Sequence, residues 1–171
     1  MQANQVRQQA ATLKAIPPGA AGTRATLQLM SQFVRRYKKT LPLRELALAI
    51  VDRVGGSKNF SGEVKAVQDY VRKNIRYRKD VNGVETLSTP IKTLEYRAGD
   101  CDDQSVLVAT LLEAIGHPTR FVAIKLNPLG NFVHVYTETK IGPKWYSVET
   151  TENWPIGYEP PGVSSRMVWN N

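Results

Sequence analysis

The sequence predicts an α+β fold, with helices first and an antiparallel sheet after them. Apolar residues recur at helical spacing as far as Gly116, then in short β-branched and aromatic runs from Thr119 onward. At the junction, residues 103–115 are apolar almost all round, which marks a helix buried at the centre.

Val6, Ala10 and Leu13 fit a short opening helix that Pro17-Pro18-Gly19 must end, because proline cannot fit within the next turn. Leu27, Met30, Val34 and Tyr37 form the next stripe, with Arg35, Arg36, Lys38 and Lys39 on the remaining faces. Leu43, Leu46, Ile50 and Val54 form another, opening after Pro42 and stopping at Gly55-Gly56, a candidate hinge. Ser61 is the expected cap of a helix carrying Val64, Val67, Val71 and Ile75 on one side. Residues 80–92, with Asn82-Gly83 and Pro90, read as a loop. Gly116 and Pro118 stop the buried helix. Strands are expected at 119–126, 132–139 and 144–150, with a short one at 166–169 inside a Pro- and Gly-rich wrapping segment.

The 171 residues suffice for one sizeable core. No apolar run is long enough to span a membrane. Met1-Gln2-Ala3-Asn4-Gln5 lacks the apolar centre of a signal peptide, so a cytoplasmic location is expected. One cysteine excludes an intramolecular disulfide and a cysteine-rich zinc site, and two histidines exclude a histidine-rich metal centre. No cofactor or metal is expected. The net charge of +8 is lopsided: residues 1–79 hold 16 Lys/Arg against 4 Asp/Glu, and residues 80–171 hold 7 against 11. The basic half suits an acidic partner, which could be nucleic acid, a membrane surface or an acidic protein, or is simply a solvated helical face.

The chemistry centres on Cys101, in Gly99-Asp100-Cys101-Asp102-Asp103 at the mouth of the buried helix. Helix dipoles and a neighbouring imidazolium lower a thiol pKa, so a reactive thiolate is expected there. Asp100, Asp102 and Asp103 oppose this unless they point away or are neutralised by Arg97 or Arg120; Asp103 is expected to tie down a neighbouring loop. A hairpin turn centred between Ile141 and Gly142 would set His134 directly opposite Glu149, within reach of a carboxylate–imidazole bond. By strand alternation Phe132, His134 and Tyr136 share a face, as do Trp145, Ser147 and Glu149. His117, in the turn after the helix, reads as structural or exposed.

Four blocks in order resemble the transglutaminase-like superfamily, whose fold is related to papain's. They are Gly99-Asp100-Cys101-Asp102-Asp103, Gly116-His117-Pro118-Thr119-Arg120, Val133-His134-Val135-Tyr136 and Trp145-Tyr146-Ser147-Val148-Glu149-Thr150-Thr151, with Ile75-Arg76-Tyr77 upstream. The resemblance spans roughly residues 60–155 and implies a papain-like core, the cysteine helix packed on an antiparallel sheet, over 56–171. A basic helical region, 1–55, precedes it. The resemblance implies Cys101 as nucleophile, His134 as general base and acid, and Glu149, where the family more often has aspartate, as the orienter of His134. The backbone N–H of Cys101 would help hold the oxyanion, with a second donor from around Tyr96. A cysteine peptidase or amidase working through an acyl-enzyme on a protein or peptide substrate is the expected function, ahead of transamidation. The alternative is a catalytically silent binding module whose basic half contacts nucleic acid or an acidic protein. A small chain of this kind suits a bacterial or phage genome.

Overall fold

The computed structural model describes residues 11–12 (backbone only), 19–55, 58–79 and 86–171. Most of the expected opening helix and its Pro17-Pro18 stop lie outside the described residues, as do Gly56 and Ser57 of the candidate hinge; the two described residues of that helix, Ala11–Thr12, are strand instead, because their backbone pairs with residues 86–87.

Helix α1 (Ala20–Tyr37) buries Leu27, Met30, Val34 and Tyr37, the stripe expected from spacing. Helix α2 (Leu41–Val51), opened by Thr40 and Pro42, buries Leu43 and Ala47 while Leu46 and Ile50 pack at its edge. Both cover α5 (Cys101–Ala114), in which every residue from 103 to 112 is buried. Buried side chains of α1, α2, α3 (Phe60–Asn74) and α5 form one continuous apolar cluster. Each such Leu or Val stabilises the fold by roughly 1.5–3 kcal/mol relative to exposure. Lys38 joins α1 to α5 through an ion pair with Glu113 at 2.7 Å.

The other side of α5 packs on a four-stranded antiparallel sheet ordered β7-β6-β5-β8. Its strands are β5 (Thr119–Lys125), β6 (His134–Ile141), β7 (Lys144–Val148) and β8 (Ser165–Asn170). Three shorter strands line the approach to α5: β2 (Arg76–Tyr77), β3 (Thr86–Leu87) and β4 (Ala98–Gly99), with β2 parallel to β4. The backbone of β1 (Ala11–Thr12) pairs antiparallel with β3. Gly116, at φ 97°, takes the left-handed position that ends α5. None of the described helices is long and apolar enough to cross a membrane.

Three further expectations are corrected. The cap of α3 is Asn59, whose side chain accepts from the Gly62 N–H at 3.1 Å, and Ser61 lies inside the first turn because the helix starts at Phe60. Within the expected loop 80–92, β3 and the start of α4 (Pro90–Tyr96) appear; Thr89 caps α4 and Pro90 supplies its first-turn proline. The β6–β7 hairpin pairs Ile141 with Lys144 across a two-residue loop, Gly142-Pro143, so its register is two residues from the expected one.

Candidate active site

Strand β4 delivers the chain to α5, and the junction admits little change. A Cβ on Gly99 would lie 2.6 Å from the Asp103 Cβ, a clash with α5 itself. Gly99→Ala should therefore destabilise the fold by about 1–3 kcal/mol, read as a lower chemical-denaturation midpoint at unchanged slope. An unaltered midpoint would mean that the first turn of α5 yields freely. Asp100 caps α5, its Oδ1 accepting from the Asp102 and Asp103 N–H groups at 3.1 and 3.2 Å. The Cys101 N–H takes no part in that cap. Asp103, only 5% exposed, accepts from the Ser88 N–H at 2.7 Å and so ties the β3–α4 segment to α5, as expected.

Cys101 and His134 line one cavity of about 490 Å³. The cavity is walled by Gly19, Gly22, Thr23 and Thr26 of the α1 end, by Tyr77 and Lys79, and by residues 131–133 before β6. Tyr96 is not among the residues that line it.

His134 opens β6 and donates from Nε2 to Glu149 Oε2 at 2.5 Å. The contact is made differently from the expectation. The pairing of Thr137 with Val148 puts Tyr136, not His134, level with Glu149. Glu149, just past the end of β7, reaches His134 on the diagonal, and both remain on the predicted face. With Nε2 held, Nδ1 is the ring nitrogen available for moving a proton.

Glu149 is 3% exposed and fully engaged. Its Oε1 accepts from the Thr150 N–H, the Thr151 N–H and the Thr151 hydroxyl at 2.7, 2.8 and 2.9 Å. Burial pushes its carboxyl pKa up, but the hydrogen bond and charge of His134 and the Thr151 donors outweigh burial and hold it below the usual value. The sign follows directly: a depressed carboxyl contributes stability above pH 4.5, lost as pH falls through the folded-state value. Glu149→Gln should flatten the acid limb of a pH–stability curve measured by denaturant unfolding. A curve parallel to wild type below pH 4.5 would contradict this reading.

The backbone under Glu149 is held from α3. Gln68 Nε2 donates to the Glu149 carbonyl at 2.8 Å and to the Trp154 carbonyl at 3.2 Å, and Arg72 donates to the carbonyls of Glu152 and Trp154. Sequence reasoning passed over both, since polar residues on a helix face carry no signal of what they grip. His117 proves structural: it is 5% exposed and bonded through Nε2 to Glu63 at 2.7 Å.

The thiol contradicts the expected direction of its pKa. Burial pushes it up most, and the charges of Asp102 and Asp100 push it further. The Val135 backbone N–H, next to His134, pulls the other way without prevailing. The Cys101 thiol donates to Asp102 Oδ1 at 3.5 Å. The two arginines expected to neutralise these acids are placed elsewhere: Arg120 pairs with buried Glu138 at 2.6 Å and stacks on Trp145, and Arg97 is exposed. Burial and these charges therefore favour the neutral thiol at rest. Among the described residues no group of three His, Cys, Asp or Glu side chains is placed to hold a metal ion.

A thiol at a helix mouth sharing a cavity with a carboxylate-held imidazole on an antiparallel sheet is the layout of a papain-like core. The chain belongs to the transglutaminase-like superfamily, whose family model matches residues 48–150. Two solved structures share the fold. One is a proposed cysteine protease from Cytophaga hutchinsonii, 23% identical, TM-score 0.57, with 83% of this chain covering 51% of that one. The other is a proposed protease from Parabacteroides distasonis, 14% identical, TM-score 0.61, with 81% of this chain covering 31% of that one. The chain thus spans about half and about a third of these two proteins. No curated protein matches it.

Proposed function

We propose that the protein is a cysteine hydrolase that cleaves an amide bond in a protein or peptide through an acyl-enzyme. The observation that carries this reading is the shared cavity of Cys101 and His134, with His134 Nε2 bonded to Glu149. As the substrate carbonyl approaches, Cys101 Sγ attacks its carbon and the thiol proton passes to His134 Nδ1. The carbonyl π pair becomes the oxyanion, facing the Cys101 N–H. Collapse breaks the C–N bond, the proton on His134 leaves with the amine, and a thioester remains. Water then attacks the thioester, with His134 taking its proton and returning it to sulfur, and a carboxylic acid departs. Because the resting thiol is neutral, proton transfer accompanies attack instead of preceding it. An amine in place of water would give transamidation from the same thioester.

The test is intact-protein mass spectrometry after mixing with a peptide library and quenching in acid. The expected product is an acyl adduct that maps to Cys101, is absent from Cys101→Ser, and chases to free acid in water. No adduct with any peptide overturns the hydrolase reading and favours a catalytically silent binding module.

A further inference from the structure

Beside the cleft runs a ledge of cations that the chemistry above does not use. Arg76 and Tyr77 form β2, and Arg78 and Lys79 continue it; all four are exposed. Strand β2 runs parallel to β4, with Tyr77 level with Gly99. The Arg76 N–H donates to the Arg97 carbonyl at 2.9 Å and the Arg78 N–H to the Gly99 carbonyl at 3.0 Å. The pairing ends at Gly99, where the chain turns into α5; by strand alternation Tyr77 and Lys79 share a side, and both line the cavity with Cys101. Arg97 is also exposed, held at φ 49° where α4 turns into β4. No salt bridge or side-chain hydrogen bond engages Arg76, Arg78, Lys79 or Arg97 among the described residues.

Four exposed cations on this paired segment, Lys79 lining the cavity and Arg76, Arg78 and Arg97 outside it, raise the local concentration of anions at the cleft mouth. The negative charge of Asp100 at the foot of the cavity makes the contrast sharper, since an anion is favoured on the ledge and disfavoured at the sulfur. We propose that this ledge recognises an acidic polypeptide segment, so that the attacked amide is flanked by glutamate or aspartate residues held outside the cavity. Polypeptide is preferred to nucleic acid for two reasons. The cavity presents a thiol suited to an amide carbon, and no base-stacking platform accompanies the charge: Tyr77 is the one aromatic on the strip, and the nearby Tyr96 ring carries the Lys92 ammonium at 5.4 Å. The proposal rests on the hydrolase reading for its reaction but not for its binding.

Binding is measured by fluorescence anisotropy with three labelled probes: a Glu-Gly repeat peptide, its Gln-Gly counterpart and an oligodeoxythymidylate. The protein is compared with a variant carrying Arg76→Gln, Arg78→Gln, Lys79→Gln and Arg97→Asn, the last chosen because asparagine tolerates the left-handed backbone. The Glu-Gly peptide should bind, weaken with salt, protect Cys101 from iodoacetamide, and bind about tenfold or more weakly to the variant. Equal binding of the Gln-Gly peptide, tighter binding of the oligonucleotide, unchanged affinity in the variant, or binding without protection of Cys101 would each overturn the proposal. If the combined variant does not fold, the four single substitutions at exposed side chains are read in its place. Acidic-peptide binding with no acyl adduct would sink the hydrolase reading and leave the ledge standing; an adduct with no preference for acidic peptides would do the reverse.

Discussion

Replacing His134 is expected to slow acylation of Cys101 by about 10²–10⁴-fold, the usual contribution of a positioned general base and acid. Two substitutions separate chemistry from stability. His134→Ala removes the donor to Glu149 Oε2 and leaves an oxygen of a carboxylate that is 3% exposed without that partner. Three donors still reach Oε1, so the fold should survive, at a cost of about 1–3 kcal/mol. His134→Gln can keep an N–H directed at Glu149 yet has no group that titrates near neutrality. It should recover most of the lost stability and none of the rate. Single-turnover acylation and denaturant unfolding, measured on both variants, decide the matter. A His134→Gln protein that acylates at the wild-type rate would remove the imidazole from the mechanism.

The sequence carried the fold further than it carried the electrostatics. The period of Leu27, Met30, Val34 and Tyr37 reflects the face that α1 must bury, and the all-round apolar run around Leu107 and Leu111 reflects the central place of α5. Such patterns are written along the chain because burial acts on each residue separately. The hairpin register was out by two residues because it depends on where the chain turns, and Gly142-Pro143 shifts that point by one residue. His134 and Glu149 still meet, because a glutamate side chain spans the diagonal. Helix α4 was missed because seven residues are too few to show a period, although Thr89-Pro90 carried its start signal. Gln68, Arg72 and Lys79 were invisible as site residues, since their roles depend on segments about 20 to 80 positions away. The direction of the thiol pKa failed for a related reason. The helix start at Cys101 is a local feature and was placed correctly, but burial under α1 and the β5–β6 connection is a tertiary fact, and with the Asp102 and Asp100 charges it raises the thiol pKa.

That imbalance yields the second large effect. Asp102→Asn should lower the Cys101 thiol pKa, because it removes the nearer of the two charges and leaves a neutral amide close to the sulfur. A unit charge a few ångströms away in partly screened surroundings is worth several kcal/mol, so an alkylation rate about tenfold or more above wild type at pH 8 is a conservative expectation. The wild-type profile with iodoacetamide should rise only above pH 9, the ordinary thiol value, and the variant's profile should move toward neutrality. The same shift has a consequence for folding. A thiol whose folded-state pKa is raised contributes stability that is intact below pH 9 and lost as pH climbs toward the folded value, because the unfolded chain releases its proton first. Tyr136, pushed up from 10 to about 12 chiefly by burial, adds to the same alkaline loss one step higher. Asp102→Asn should therefore make the protein both more reactive at neutral pH and less sensitive to alkali. In the proposed chemistry Asp102 would be a brake on the thiol, keeping it protonated until a carbonyl arrives to take the electrons. A wild-type sulfur that alkylates rapidly at pH 6 would show that the imidazole already holds the proton at rest, and this account of Asp102 would then fail.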